Sequence, residues 1–417
     1  MAREQPLGAE AEIRRRIAER GAIPFVEFME IALFWPRGGY YGSPERVGPQ
    51  GDYYTSPAAH PVFGALLSLQ LFQMWELLGR PSPFHVVELG AGGGVLACDI
   101  LEHARSLPAG FSPALRYLCV DRMPGWEVEG ALRYGSDLYV GRLAAVDLPF
   151  KGLVGCVLSN ELVDSFPVHR VEVRDGELSE VYVALEGGGF RETLRKPSTP
   201  RLQERLDRLG VSLPEGYRSE INLAVDGWAQ DVAVALERGF VLTVDYGYAA
   251  EEYYSPRRHR GTLTCFYKHM QVEDPYTRIG RQDITAHVEF TSLMHAGERA
   301  GLEPLAFVDQ RQFLHNLGLQ RHLHRLRDMD LPLREAATNR FGMLELVRPD
   351  GLGRFKVLVQ GRGVARCGLW GATGGTPIFD TPVPLLTSRH TLLLAGRYPD
   401  EFPDWERLWP GKAGEGS

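Results

Sequence analysis

The chain has 417 residues but only five cysteines, and it lacks an excess of positive charge. The cysteine count is odd and no CxxC pair occurs, which argues against a disulfide framework and against a zinc site. Lys and Arg number 46 against 53 Asp and Glu, which gives a formal charge of −7. A surface that binds nucleic acid through positive charge is therefore not expected.

Long apolar runs are also missing. No stretch reaches the roughly 18 apolar residues that a membrane span requires, and the charged residues 1–20 lack the apolar segment of a signal peptide. No HExxH or GxSxG motif occurs, so zinc and serine hydrolysis are not indicated and no metal ligand is predicted. With reduced thiols and no targeting segment, we expect a cytoplasmic protein.

Glycine, in contrast, is abundant, with 47 residues. Its most informative cluster, 90–94, follows an apolar strand predicted at 84–89 and precedes a helix that begins at Val95. Further apolar strands alternate with helices and carry polar residues at their ends; they are predicted at 117–120, 152–158, 239–244, 305–308 and 355–359. This alternation predicts an α/β fold with a parallel, Rossmann-like sheet.

Three parts are predicted along the chain. Residues 1–80 form a helical N-terminal region with a lid loop, residues 81–363 form the Rossmann-like domain, and residues 364–417 form a small C-terminal extension. Short alternating strands around an Asp-Gly turn predict an inserted antiparallel β segment at about 168–215.

The glycine cluster indicates a ligand site. Gly90, Gly92 and Gly94, with Ala91 between the first two, let a ligand approach the main chain closely. Glu88 ends the preceding strand, where an acid suits a cationic ligand. The GxGxG spacing lacks the third glycine of the dinucleotide pattern, so S-adenosyl-L-methionine is favoured over a dinucleotide. A dinucleotide, or a tight turn without a ligand, remains the alternative.

Acidic residues after the next strands extend this site. Asp121 ends the second strand, where its carboxylate can accept hydrogen bonds from both ribose hydroxyls of a nucleoside. Asp147 and Leu148 precede a later strand and are predicted to hold the edge of the adenine base.

A second polar cluster follows the strand at 152–158. Ligands of open parallel sheets bind beyond the carboxyl ends of the strands, so Asn160 and Glu161 are expected beside the reacting group. Glu161 and Asp164 could bind a cationic substrate such as a guanidinium, and Asn160 could position a nucleophilic nitrogen. The alternative is that Glu161 caps a helix and that Asp164 is a solvated acid of its first turn.

His287 lies between the acids Asp283 and Glu289, where it could act as a base or a substrate clamp. The favoured alternative is a helix cap at Asp283 or Thr285 beside a half-buried histidine. The Arg-rich segment 257–260 is predicted to be a solvated loop rather than a phosphate site.

The glycine- and proline-rich loop 36–57 is long and has no periodicity, which is typical of a functional loop. Its last part is the candidate lid. Asp52, Thr55, Ser56 and Pro57 are predicted to contact the cofactor from this loop.

Six motifs, in this order, carry a family resemblance over about 24–361; they are GDYYTSP at 51–57, ELGAGGG at 88–94, NELVDSFPV at 160–168, DYGY at 245–248, GTL at 261–263 and DITAHV at 283–288. The chain resembles the MidA-like family of S-adenosylmethionine-dependent methyltransferases, which are bacterial and mitochondrial relatives of a complex I assembly factor.

The resemblance implies a class I methyltransferase fold and an S-adenosyl-L-methionine cofactor. In the mitochondrial members it implies methylation of an arginine in a protein substrate, a respiratory complex subunit, which fits Glu161 and Asp164. A non-catalytic assembly or scaffold protein and, less favoured, an NAD-dependent oxidoreductase are the competing hypotheses, and a homodimer is an open alternative to a monomer. The chain departs from the family at Ala58, where glutamate is frequent, at Ala91, and at Glu289.

Overall fold

The computed structural model describes residues 8–42, 55–122, 139–144, 148–267 and 270–391. The strands in these ranges are β1 Ile23–Pro24, β2 Phe84–Leu89, β3 Leu115–Asp121, β4 Tyr139–Ala144, β5 Leu153–Asn160, β6 His169–Arg174, β7 Glu177–Glu186, β8 Gly189–Arg195, β9 Arg218–Ile221, β10 Leu236–Asp245, β11 Gly247–Tyr248, β12 Thr264–Tyr267, β13 Met270–Val272, β14 Asp283–Thr285, β15 Val288–Glu289, β16 Glu303–Asp309 and β17 Lys356–Arg362. The helices are α1 Ala9–Arg20, α2 Phe25–Phe34, α3 Ser56–Ala59, α4 Val62–Leu77, α5 Val95–Ala104, α6 Phe111–Ala114, α7 Arg201–Leu209, α8 Ala224–Ala235, α9 Ala250–Tyr253, α10 Phe290–Ala300, α11 Gln310–Leu317, α12 Leu319–Arg327, α13 Leu333–Glu345 and α14 Trp370–Thr373.

A seven-stranded sheet forms the centre of the molecule, in the order β16-β17-β10-β5-β2-β3-β4. The pairs from β4 to β10 are parallel, and β17 runs antiparallel to both of its neighbours. Helices α4 and α5 cover one face with an apolar cluster that includes Phe63, Phe72 and Ile100. The continuous apolar runs of β2, β5 and β10 fit this position, because their side chains are buried on both faces.

The order of the strands reverses between β2 and β5, which are neighbours in the sheet although β3 and β4 lie between them in the chain. Such a switch point opens a crevice beyond the carboxyl ends of the strands, where α/β proteins bind ligands. The glycine cluster follows β2 and Glu161 follows β5. The topology therefore places both predicted polar clusters at one crevice.

The predicted insertion is a second, antiparallel sheet in the order β1-β7-β6-β9, with β8 on the other side of β7. Its strand β1 comes from the N-terminal region, where Ile23 pairs with Val183. Phe25 and Phe28 of α2 are fully buried in the cluster that this sheet covers. The N-terminal helices thus share a core with the insertion, since their apolar faces need a partner to be buried.

The described part of the C-terminal region, 364–391, packs against α4 and α5. The backbone N–H of Trp370 donates to Gln73 Oε1 at 2.8 Å, and His390 Nε2 lies 3.0 Å from Asp99 Oδ2 in a buried pair. Thr391, the last described residue, lies in no strand, and residues 392–417 are outside the described ranges.

Candidate active site

The glycine turn after β2 has the backbone geometry that its sequence predicts. Gly90, Gly92 and Gly94 have φ values of +68°, +49° and +71°, in the left-handed region that favours glycine. A Cβ on Gly90 would lie 2.8 Å from Leu162 Cδ1, so the turn packs closely against the loop after β5. Gly94 then begins α5.

Two acids flank this turn and form hydrogen bonds within the protein. Glu88 is buried, and its Oε2 accepts a hydrogen bond from the Tyr117 hydroxyl at 2.7 Å. Burial raises the pKa of Glu88 to about 8, because a carboxylate loses its hydration there. Asp121 Oδ2 accepts the N–H of Gly92 at 3.1 Å and so fixes the turn. Their predicted contacts with the cofactor stay a prediction.

Glu161 occupies a strained position at the end of β5. Its φ is +49°, which a side chain with a Cβ rarely adopts and which is characteristic of functional sites. Its Oε1 accepts the N–H of Ser56 at 3.2 Å and the side-chain amide of Asn160 at 3.1 Å. Thr55, whose hydroxyl caps α3, ends the preceding loop. The hydrogen bond of Ser56 therefore places this end of the loop against Glu161.

Asp245, at the end of β10, organises the loop that carries the next acid. Its Oδ2 accepts the backbone N–H groups of Leu162, Val163 and Asp164 at 3.2, 2.9 and 3.3 Å. Asp164 also accepts a hydrogen bond from the Tyr246 hydroxyl. Both carboxyl groups are buried, so this acid pair belongs to the interior of the site and not to a solvated helix turn.

Asp283, from β14, is a further buried acid of the candidate site. It is fully buried, and its Oδ1 accepts the Tyr41 hydroxyl at 3.0 Å and the N–H of Ile284 at 2.9 Å. Its negative charge contributes, after burial and Asp164, to the raised pKa of Glu161. The expected helix cap at Asp283 or Thr285 is wrong, because both lie in β14 and Glu289 caps α10.

Glu161, Asp164 and Asp245 are buried without an ion pair to any basic side chain that the structure describes. Burial, reinforced by Asp164, raises the pKa of Glu161 to about 8, and burial raises that of Asp164 to about 6. We call Asn160, Glu161, Asp164, Asp245 and Asp283 the acidic pocket.

Two buried acceptor atoms of the acidic pocket, Asn160 Oδ1 and Asp164 Oδ1, have no hydrogen-bond partner among the described residues. Buried polar atoms in proteins are nearly always hydrogen-bonded, so unpaired acceptors indicate a ligand that brings donors. A planar guanidinium carries five N–H donors and no acceptor, and its positive charge would balance the carboxylates. The pocket is therefore chemically suited to an arginine side chain.

His287 lies beside the acidic pocket, where its ring contacts those of Tyr246 and Tyr248 at centroid distances of 5.2 and 5.3 Å. Its backbone N–H donates to Thr262 Oγ1 at 3.2 Å. Burial, with the positive charges of Arg258 and Arg354 nearby, lowers the pKa of His287 to about 4. The ring is therefore neutral near pH 7 and can accept a proton only weakly.

Some predicted site residues lie outside the described residues or away from the acidic pocket. Two residues near the pocket were not predicted. Asp52 and Asp147 lie outside the described residues, whereas Leu148 packs at the edge of an apolar cluster and Pro57 is buried in α3. The prediction did not give roles to Asp245 or Tyr41. The position of Asp245 at a strand end was a usable signal; Tyr41, 242 residues from Asp283, offered none.

The chain is similar to a family of known proteins and to solved structures. A family model described as "Putative S-adenosyl-L-methionine-dependent methyltransferase" matches residues 66–308. A solved structure from Burkholderia thailandensis, described as a "likely methyl transferase" bound to S-adenosyl-homocysteine, has 31% identity and a TM-score of 0.78. The similarity covers 87% of this chain and 94% of that one. A second structure from the same organism has 30% identity and a TM-score of 0.74, over 88% and 95% of the two chains.

Curated relatives carry a more specific name. The Drosophila melanogaster protein called "Protein arginine methyltransferase NDUFAF7 homolog, mitochondrial" is 30% identical over 85% of this chain and 84% of its own length. The Homo sapiens protein called "Protein arginine methyltransferase NDUFAF7, mitochondrial" is 27% identical over 75% of this chain and 74% of its own length.

The comparisons confirm the predicted fold class. The predicted cytoplasmic location is wrong on this evidence, because the curated relatives are named as mitochondrial proteins. Within the described ranges, no helix is both long and apolar enough to cross a membrane.

Proposed function

The chain belongs to the family of putative S-adenosyl-L-methionine-dependent methyltransferases, and from this premise we propose that its methyl acceptor is an arginine side chain of a protein. The observation that carries the proposal is the burial of Glu161 and Asp164 in the acidic pocket, where neither carboxyl group forms an ion pair with a Lys or Arg of the described residues. The names of the curated relatives support the same acceptor. A subunit of a respiratory complex is the protein substrate that the family resemblance implies.

The residues of the glycine turn fit the cofactor. We assign Gly90, Ala91, Gly92 and Gly94 to the cradle around it, because a left-handed turn without bulky side chains leaves the main chain accessible. When bound, S-adenosyl-L-methionine supplies an electrophilic methyl group. Asn160, at the switch point between the turn and the acidic pocket, can contact both the cofactor and the substrate.

Glu161 and Asp164 are assigned to the guanidinium. A pocket that is empty of substrate holds part of these groups in the neutral form at pH 7, since burial raises their pKa values to about 8 and about 6. A bound cation favours the ionised form, so protons leave as the arginine enters. Methyl transfer would break the bond between the methyl carbon and the sulfonium sulfur, leaving S-adenosyl-homocysteine, and would form a C–N bond at a guanidinium nitrogen. Glu161, ionised by the bound cation, would accept the proton that this nitrogen loses.

The remaining assignments concern the surroundings of the pocket. Residues 43–54 of the candidate lid lie outside the described residues; we assign Thr55 and Ser56, at its end, to the wall of the site, supported by the hydrogen bond from the Ser56 N–H to Glu161. His287, neutral and packed on two tyrosines, is assigned to positioning rather than to charge. We retain the division into an N-terminal region 1–80, a methyltransferase domain 81–363 and an extension 364–417.

The test uses the variant Glu161→Gln, which keeps the shape of the side chain and removes its charge. Labelled methyl transfer into a protein extract, followed by hydrolysis to amino acids, is expected to yield methylarginine with the wild type. The variant should lose about 100-fold in rate, equivalent to about 2.7 kcal/mol. Its affinity for S-adenosyl-L-methionine, measured by calorimetry, should change less than about threefold.

Glu76→Gln is the matched control, since Glu76 pairs with Arg80 on α4, away from the acidic pocket. It should behave as the wild type. Label found only in residues other than arginine would refute the proposed acceptor, and an equal loss of cofactor affinity in Glu161→Gln would refute the role given to Glu161.

A further inference from the structure

A second polar pocket, of opposite charge, lies on the inserted sheet. Its volume is about 500 Å³. It is lined by four arginines, one histidine and one glutamate, together with Gly216: Arg170, Arg174, Arg218, Arg260, His259 and Glu172. We call this the arginine pocket.

Strand alternation gathers these side chains. Residues 170, 172 and 174 point to one face of β6, because side chains two apart on a strand share a face. Arg218 on β9 is the register partner of Glu172, and Arg260 pairs with Arg218 in a parallel bridge. The Arg-rich segment 257–260, expected to be a solvated loop, is largely exposed, and its last residue Arg260 lies against β9 through this isolated bridge.

The positive charge of the pocket is only partly balanced. Glu172 is buried and binds both Arg174 and Arg218. Arg170 is held by Glu192 at 2.6 Å. Arg260 is exposed and forms no hydrogen bond or ion pair with another side chain of the described residues, and the Arg174 side chain is 57% exposed. The rim therefore carries guanidinium donors that are available to an anion.

The arginine pocket and the acidic pocket are close along the chain. Thr262 follows Arg260 by two residues, a separation of at most about 7 Å. The Thr262 hydroxyl accepts the N–H of His287 at 3.2 Å, beside the acidic pocket. Glu220, which lies 3.7 Å from Arg170, accepts the N–H of Thr262 at 2.7 Å. One extended peptide is therefore long enough to reach both pockets.

We propose that the arginine pocket binds carboxylate side chains of an acidic segment in the protein substrate, near the arginine that is methylated. The identity of the bound segment as substrate rests on the proposed function, whereas the binding of carboxylates does not. Arg binds carboxylates in a fork geometry. A cavity of about 500 Å³ accommodates a few side chains but not a nucleic-acid helix.

The test measures binding of a fluorescein-labelled octaglutamate peptide by anisotropy, with the full chain and without cofactor. The double variant Arg174→Glu/Arg260→Glu should bind the peptide at least about tenfold more weakly than the wild type. The matched control, Arg191→Glu/Arg257→Glu, makes the same change of charge at two exposed arginines that do not line the pocket. It should bind within about twofold of the wild type.

Equal binding by the wild type and the pocket variant would overturn the proposal, as would an equal loss in the control. A labelled single-stranded oligonucleotide of eight nucleotides that bound more tightly than octaglutamate would overturn the choice of carboxylates. The single variant Arg260→Gln serves if the double variant fails to fold, and it should weaken binding about threefold. Because no methyl transfer is measured, a failed arginine methylation assay leaves this test intact.

Discussion

The acidic pocket and the arginine pocket use charge in opposite ways. In the first, Glu161 and Asp164 are buried without an ion pair to any Lys or Arg of the described residues, and burial raises their pKa values. In the second, arginines from alternating strand positions are paired at the base and exposed at the rim. A buried site whose charge is not compensated by the protein can select a single desolvated cation. An open site whose charge is partly compensated attracts its ligand more weakly, and this attraction depends on salt. The comparison suggests that one pocket performs chemistry and the other adds recognition.

The largest effect is expected for a substitution of Asp245, which should slow methyl transfer without weakening peptide binding at the arginine pocket. In Asp245→Ala, three backbone N–H groups of the loop 162–164 lose their acceptor, so the loop can no longer hold Asp164 in place. We expect methyl transfer to fall about 100-fold, since each buried unsatisfied group costs roughly 1–3 kcal/mol. Octaglutamate binding should stay within about twofold. Both are measured with the assays described above.

Asp245→Asn is the control, because its amide oxygen can still accept from the loop. It should retain more than about a tenth of the activity. If Asp245→Ala weakened octaglutamate binding as much as it slowed methyl transfer, the two pockets would not be independent.

The two pockets also differ in how far the sequence predicts them. Glu88, Asn160 and Glu161 end apolar strands, so the rule that parallel strands present their carboxyl ends together predicts their proximity. Asp283 joins them through a small separate sheet, and Tyr41 comes from the N-terminal region. No local pattern encodes such contacts between residues that are far apart in the chain.

The arginine pocket shows the same limit more strongly. The alternation of Arg170, Glu172 and Arg174 is visible in the sequence, but it is also the pattern of an ordinary solvated strand face. The Arg-rich segment lines the pocket because the bridge between Arg218 and Arg260 places its last residue next to β9. The sequence alone does not indicate this bridge. The two-residue strand β1 was likewise missed, because its pairing with β7 depends on the folded core.

The next effect is the pH dependence of the acidic pocket. Binding of a cation requires ionised carboxylates, and the pKa of Glu161 is raised to about 8 by burial, with Asp164 and Asp283 adding negative charge. Below that value the fraction of ionised Glu161 rises up to about tenfold per pH unit. We therefore expect kcat/KM to rise from pH 7 to pH 8 and then to level off.

Glu161→Gln should flatten this part of the profile, measured on its residual activity. Octaglutamate binding should not rise over the same range, because arginine stays charged. A kcat/KM that fell from pH 7 to pH 8 would contradict the role of the carboxylates.

Salt should produce a smaller effect, and at the arginine pocket. Two synthetic peptides measure the contribution of the acidic residues. Both contain one arginine, which is flanked by glutamates in the first peptide and by glutamines in the second. At low salt the KM of the glutamate peptide should be about fivefold lower, and the difference should vanish near 1 M salt, where the Debye length is about 3 Å. Arg174→Glu/Arg260→Glu should remove the difference at every salt concentration. A preference that persisted in that variant would place the recognition elsewhere.

The smallest effect is expected from replacing either of two tyrosines. One donates a hydrogen bond to a carboxylate of the acidic pocket, and the other donates to a carboxylate that binds arginines of the arginine pocket. Tyr41 donates to Asp283 Oδ1 at 3.0 Å in the acidic pocket, and Tyr276 donates at 2.9 Å to Glu192, which binds Arg170 and Arg218. Replacing either by Phe keeps the ring and removes one hydrogen bond of about 1 kcal/mol.

Tyr41→Phe should raise the KM for the arginine peptides about three- to fivefold and leave octaglutamate binding unchanged, since Asp283 keeps the N–H of Ile284 as its other donor. Tyr276→Phe should do neither, because Glu192 retains two arginine partners that dominate its environment. The inequality follows from the difference between the two carboxylates: a hydrogen bond matters more to a fully buried carboxylate such as Asp283 than to a partly exposed one such as Glu192, which binds two arginines. Equal changes in KM from both variants would show that the two carboxylates are equally well supported, and the contrast between a buried unbalanced site and a balanced one would then be lost.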